Sequence, residues 1–182
     1  MASKKKAKRA SPRSSSREDA ISLLKADHRE VEAMFEQFEK TRSADRKSTL
    51  ASQICLSLKV HTQIEEEIFY PAFIEATEEE DIHHEAVVEH DGAKKLIAEI
   101  ESSGPDDDYY DAKVKVLSEM IKHHVKEEEQ RGGMFSEARD AGMDLAGLGE
   151  RLKARKDELM AQAPSSGGRG RGKQREQRSS AD

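Results

Sequence analysis

Seven histidines occur in the 182-residue chain, and four of them fall where a folded chain would bury apolar side chains. His28, His61, His90 and His124 each sit on a line of apolar residues that repeats every three or four positions. Glu65 follows His61 by four residues and Glu128 follows His124 by four. On a helix such pairs share one face, so each offers a nitrogen and an oxygen to a common point. Burying polar groups unpaired costs about 2–7 kcal/mol each, and charges cost more, so something inside must offset them. Four imidazoles and two carboxylates converging in a helical core describe a metal site. Mixed nitrogen and oxygen donors suit iron or manganese, with zinc as an alternative. Ferritin-like sites use Glu-x-x-His pairs, whereas here the order is His-x-x-x-Glu, richer in nitrogen than in oxygen. A single histidine on an apolar face is more often a hydrogen-bonded core residue than a ligand. The repetition on four separate stretches, twice with an acid, is what favours metal. His83, His84 and His123 lie away from the proposed layer or one step off its stripe. Glu66, Glu67, Glu127 and Glu129 read as solvated residues, although one of them can bridge two metals.

Four helices must hold these donors. The span 18–41 places Ile21, Leu24, His28, Val31, Phe35 and Phe38 on one face. A second helix over roughly 47–76 carries Leu50, Ile54, Leu58, His61, Glu65, Ile68 and Ala72, with Pro71 expected to bend or end it. A third, roughly 81–102, carries Ala86, His90, Ala93, Ile97 and Ile100 and stops at Gly104-Pro105. A fourth starts near Asp106–Asp108 and carries Tyr110, Val114, Leu117, Ile121, His124 and Glu128. No stretch alternates with period two, so the fold class is all-α. The expectation is an antiparallel up-down four-helix bundle over 18–135, in which the six donors meet at one height. An additional C-terminal amphipathic helix is expected over 136–162, with Leu145, Leu148, Leu152 and Leu159. It either packs along the outside or continues the fourth helix after a break at Gly132-Gly133.

Charged residues make up 37% of the chain and aromatic residues 4%, yet the apolar positions are periodic, which argues for helices over disorder. The net charge of −6 is unevenly spread. Residues 1–17 hold seven Lys/Arg and no acid, and residues 164–182 hold five against Glu176 and Asp182. Both ends, 1–17 and 163–182, are rich in Ser, Gly or Pro as well and read as disordered basic tails around an acidic middle. The single cysteine, Cys55, excludes an intrachain disulfide and reads as a small buried residue. No membrane span and no secretory leader are recognisable, so a cytoplasmic protein is expected. The oligomeric state is left open.

Four stretches, ADHREVEAMFEQFE, LKVHTQIEEEIFYPAF, EAVVEHDGAKKLIAEIE and MIKHHVKEEE, together give the order H…HxxxE…H…HxxxE across 20–130. In this the chain resembles the hemerythrin-like family, also called the HHE cation-binding domain. The resemblance implies a left-handed four-helix bundle around two nonheme irons. It assigns the metal ligands to His28, His61, Glu65, His90, His124 and Glu128, with the carboxylates able to bridge. Two departures stand out. Oxygen-carrying hemerythrins look richer in histidine on the third helix, where this chain has Ala86 and Lys94 around His90. One metal therefore has room for water, for Glu85 or Glu89, or for a Tyr. After the last acids, Gly132-Gly133 and Ser136 stand where similar proteins run into a Phe-Pro step, so the helix is expected to loosen past Glu128.

These readings favour a diiron protein that binds or senses O2, peroxide or NO. The alternatives are a diiron peroxidase or ferroxidase, and a DNA-associated stress protein acting through the basic tails. Lys/Arg runs in those tails can neutralise nucleic-acid phosphates, but aromatic residues for base stacking are missing from both.

Overall fold

The computed structural model describes residues 19–163; the tails expected over 1–17 and 163–182 lie outside them except for Ala163. All regular structure among the described residues is helical. Helix α1 (Ala20–Lys40) begins at Asp19, whose carboxylate accepts from the Ser22 amide at 2.7 Å. Helix α2 (Ala44–Ile64) begins at Ser43, whose hydroxyl accepts from the Arg46 amide. Each cap satisfies an amide that the first turn leaves unpaired. A π-helical turn (Glu65–Phe69) then leads into α3 (Tyr70–Thr77). Glu78, at φ 60°, ends α3 and turns the chain into α4 (Glu80–Ser102). Helix α5 (Tyr110–Glu129) follows, then two short-linked helices, α6 (Met134–Asp140) and α7 (Leu145–Gln162).

Helix α1 packs on α2 and α5, and α4 packs on α2 and α5, closing a ring of four. This is the expected antiparallel up-down bundle with additional C-terminal structure. Its core is two apolar clusters. One holds Phe35, Phe38, Leu50, Ile54, Ile97, Val114 and Leu117, and the other Ile21, Leu24, Phe69, Phe73, Phe135 and Leu152. On α1, α2 and α4 the chemistry-bearing histidine falls between residues of the two clusters, and on α5 His124 lies at the end of the first, between Ile121 and Val125. The bundle is thus oily at both ends and polar across its waist.

Three local expectations change. The second helix is not one α-helix over 47–76, because the π-helical turn inserts one residue into the repeat. Beyond Glu65 the buried stripe runs through Phe69, Tyr70 and Phe73, leaving Ile68 and Ala72 only partly covered. Pro71 sits in the first turn of α3, where its missing amide is tolerated, so the helical path continues to Thr77. The stretch 136–162 is two helices instead of one, separated by a turn at Gly142, φ 72°. Helix α7 packs against α1, α2 and the π-helical turn. Just past Glu128 the helix does end, but in a tight turn in place of a loosened end. Helix α5 runs to Glu129, Gly132 adopts φ 76°, and Gly133 lies so close beneath α5 that a Cβ there would be 2.0 Å from the Glu127 carbonyl oxygen. That tight turn carries Met134 and Phe135 into the core.

Candidate metal centre

The six donors expected from sequence meet in the waist of the bundle. His28, His61, His90, His124, Glu65 and Glu128 are all buried, and Glu65 is fully so. Each histidine turns Nε2 inward. The Nε2 atoms of His28 and His61 are 3.1 Å apart, and those of His90 and His124 3.2 Å apart. The carboxylates span the two pairs. Glu65 places Oε1 3.2 Å from His61 Nε2 and Oε2 3.5 Å from His90 Nε2. Glu128 places Oε2 3.4 Å from His28 Nε2 and Oε1 3.6 Å from His124 Nε2. Two half-sites result, each with two imidazole nitrogens and one oxygen from each glutamate.

The half-sites differ in a seventh group. The π-helical turn brings Tyr70 inward, with Oη 3.2 Å from His90 Nε2 and 3.4 Å from Glu128 Oε1. Of the supplements expected from sequence, the tyrosine is the one the fold places beside the donors. Burial first, then the charges of Glu65 and Glu128, hold its phenol well above its ordinary pKa. Glu85 stays exposed, and Glu89 lies behind His124. His83 is closer to the centre than its sequence position suggests, edge-on to the Tyr70 ring at 5.7 Å.

Sequence reasoning missed the groups behind the histidines. His28 Nδ1 lies 2.9 Å from Glu129 Oε1, His90 Nδ1 3.0 Å from Glu66 Oε1, and His124 Nδ1 2.8 Å from Glu89 Oε2. His61 Nδ1 faces Asp27 Oδ2 at 3.5 Å. In a neutral imidazole a carboxylate on Nδ1 keeps the proton there, leaves the lone pair on Nε2 and fixes the ring, which is how metal-ligating histidines are oriented. Basic side chains anchor three of these carboxylates. Lys25 and Arg29 hold Glu129, Lys94 holds Glu66, and Lys156 of α7 holds Asp27. Glu66 and Glu129 are therefore not merely solvated, and Glu67 pairs with Arg155 of α7. A carboxylate one residue after Glu65 or Glu128 was the available signal, but the sequence does not say which histidine it meets.

The electrostatics suit a cation. Burial alone would depress the His61 imidazole, but the opposing field of Glu65 and the Asp27 contact raise it to about 10. His124 is raised to about 9 in the same way, burial being overcome by Glu128 and Glu89. Glu65 is held below its ordinary value: burial opposes ionisation, and the neighbouring histidines outweigh it. His61 and His124 thus favour their charged form, whereas burial holds His90 below its ordinary value; a bound cation would take the place of those protons beside the carboxylates. Both oxygens of Glu65 and Oε2 of Glu128 are buried without a hydrogen-bond partner. Native interiors rarely tolerate this, and a cation bound between the half-sites would satisfy all three.

A model of the hemerythrin HHE cation binding domain matches residues 19–131. The chain belongs to the hemerythrin HHE family. It is accordingly a metal cation-binding protein. The crystal structure of a hemerythrin HHE cation binding domain-containing protein from Mycobacterium kansasii has the same fold. The TM-score is 0.66 at 22% identity, covering 79% of this chain and 88% of that one. A DNA nickase from Nostoc sp. strain PCC 7120 is 25% identical over 107 residues, which is 59% of this hemerythrin-family chain and 30% of the nickase. The chain thus spans less than a third of that curated relative. No helix among the described residues of this HHE protein is long and apolar enough to cross a membrane.

Proposed function

We propose that this chain holds two nonheme irons between its half-sites and uses them to bind or sense a small oxidant or diatomic, O2, peroxide or NO. His28 and His61 would hold one ion, His90 and His124 the other, with Tyr70 beside the second and Glu65 and Glu128 bridging both. The bridging placement of the two glutamates carries this reading, because two cations close together need shared anionic oxygens to offset their repulsion. Iron so held supplies reversible redox change and affinity for oxygen-containing ligands. The protein's part is to fix the histidines through their Nδ1 partners and to keep bulk water out.

A small cavity of about 50 Å³ reaches the four histidines, walled by Val31, Leu58, Ile121 and Val125. An apolar space of that size suits a diatomic or peroxide better than an organic substrate. The test is metal analysis with absorption spectra under air and under nitrogen. Two irons per chain, with near-UV absorption that depends on oxygen, are expected. A chain that takes up at most one zinc refutes the reading. Steady turnover of hydrogen peroxide, abolished in His61→Ala, would make the same centre an enzyme.

A second reading, contact with nucleic acid, draws support from the basic runs in 1–17 and 164–182 and from the relative that is a DNA nickase. Salt-sensitive DNA binding that vanishes when both runs are removed is its test.

A further inference from the structure

A second set of donors lies just outside the buried layer, on the face shared by α4 and α5. His123 precedes His124 and its side chain is 60% exposed; its Nε2 lies 3.4 Å from Glu89 Oε1 and 3.4 Å from Glu127 Oε1. Both distances exceed a good N–H···O hydrogen bond, so neither contact is well made. The three donor atoms lie within 4.8 Å of one another. Glu89 also stands apart from the other carboxylates behind the histidines. Where Glu129, Asp27 and Glu66 meet a lysine or arginine, Glu89 meets His123.

An independent observation connects this face to the interior. A cavity of about 100 Å³ is lined by Glu85, Glu89 and Glu127 and also by His124 and Glu128. Glu128, part of its inner wall, is buried, with Oε1 toward His124 and Oε2 toward His28. The cavity therefore touches two of the outer donors, Glu89 and Glu127, and two of the buried ones, His124 and Glu128.

We propose that Glu89, His123 and Glu127 form an outer site for a divalent transition-metal cation, and that the ion passes from it along this cavity to the buried donors. One imidazole with two carboxylates selects first-row divalent ions over Mg2+ or Ca2+. Exposure leaves such an ion mostly hydrated and weakly held, as a transfer site requires. The carboxylates at the mouth raise the local cation concentration and with it the capture rate. Glu89 links the steps, one oxygen facing the outer site and the other on His124 Nδ1. The transfer step rests on the buried layer being a cation centre; the outer site does not.

The test uses the full chain, stripped by chelator and dialysed, with Co2+ as a visible probe of number and rate. Wild type is expected to bind two ions tightly and a third weakly. His123→Ala and Glu127→Gln, both outside the buried layer, should lack the weak ion and load the tight pair about tenfold more slowly. His61→Ala should lose tight binding and keep the weak ion. A weak ion that persists in both outer variants overturns the proposal. Its loss with unchanged loading rates overturns the transfer step alone. Tight binding unimpaired in His61→Ala overturns the buried centre and leaves the outer site standing.

Discussion

Phe135 lies nearly parallel to the His28 imidazole, ring centroids 5.9 Å apart and planes inclined by 12°. The contact ties α6 directly to the waist of the bundle. Phe135 is also edge-on to Phe69 at 5.8 Å and fully buried. Replacing it by alanine opens a cavity in this cluster, at a cost of about 3–5 kcal/mol. Thermal denaturation of Phe135→Ala should show that loss, and the His28 side of the centre should bind its ion more weakly than wild type.

The carboxylates behind the histidines should govern affinity without being ligands. Glu66→Gln and Glu129→Gln each remove a negative partner from Nδ1, leave the fold intact, and should weaken cation binding about 10–100-fold. Glu67→Gln, which touches Arg155 and no histidine, should not. Competition against a coloured chelator measures all three.

Removing the metal should destabilise the chain. A waist of buried, unpartnered carboxylate oxygens is costly, and cation binding adds to folding stability by mass action. Calorimetry with and without chelator should show a lower melting temperature in the stripped protein. Equal melting temperatures would show that the layer satisfies itself.

Gly133→Ala should fail where Gly104→Ala is tolerated. A methyl at position 133 collides with the Glu127 carbonyl, whereas one at position 104 meets nothing within 4 Å. The expected outcome is displacement of α6, seen as exposure of Phe135 and loss of thermal stability, with the position 104 variant near wild type.

Cys55 gives a pH dependence free of the metal centre. Burial, aided by the charge of Glu101, pushes its thiol up to about 12. The folded chain keeps the proton through a window in which the unfolded chain, near 9, loses it. This contribution to stability is complete below about pH 9 and disappears as pH rises towards 12. Alkylation at pH 8.5 should accordingly be slow in the native chain and fast in denaturant.

The sequence by itself determined the all-α class, the four-helix bundle and the six inward donors. Periodicity and i,i+4 spacing are local properties, and each donor stands on the line of its own apolar neighbours. Tertiary structure alone decided the rest. The π-helical turn after Glu65 is invisible to a repeat of 3.6, yet it replaces Ile68 and Ala72 with Phe69, Tyr70 and Phe73 and so brings the phenol to the centre. Glu66, Glu89, Glu129 and Asp27 read as ordinary polar residues until helices far apart in sequence are packed together. Their role depends on which Nδ1 each one meets across the bundle, and that pairing is a property of packing between helices, which no single helix encodes.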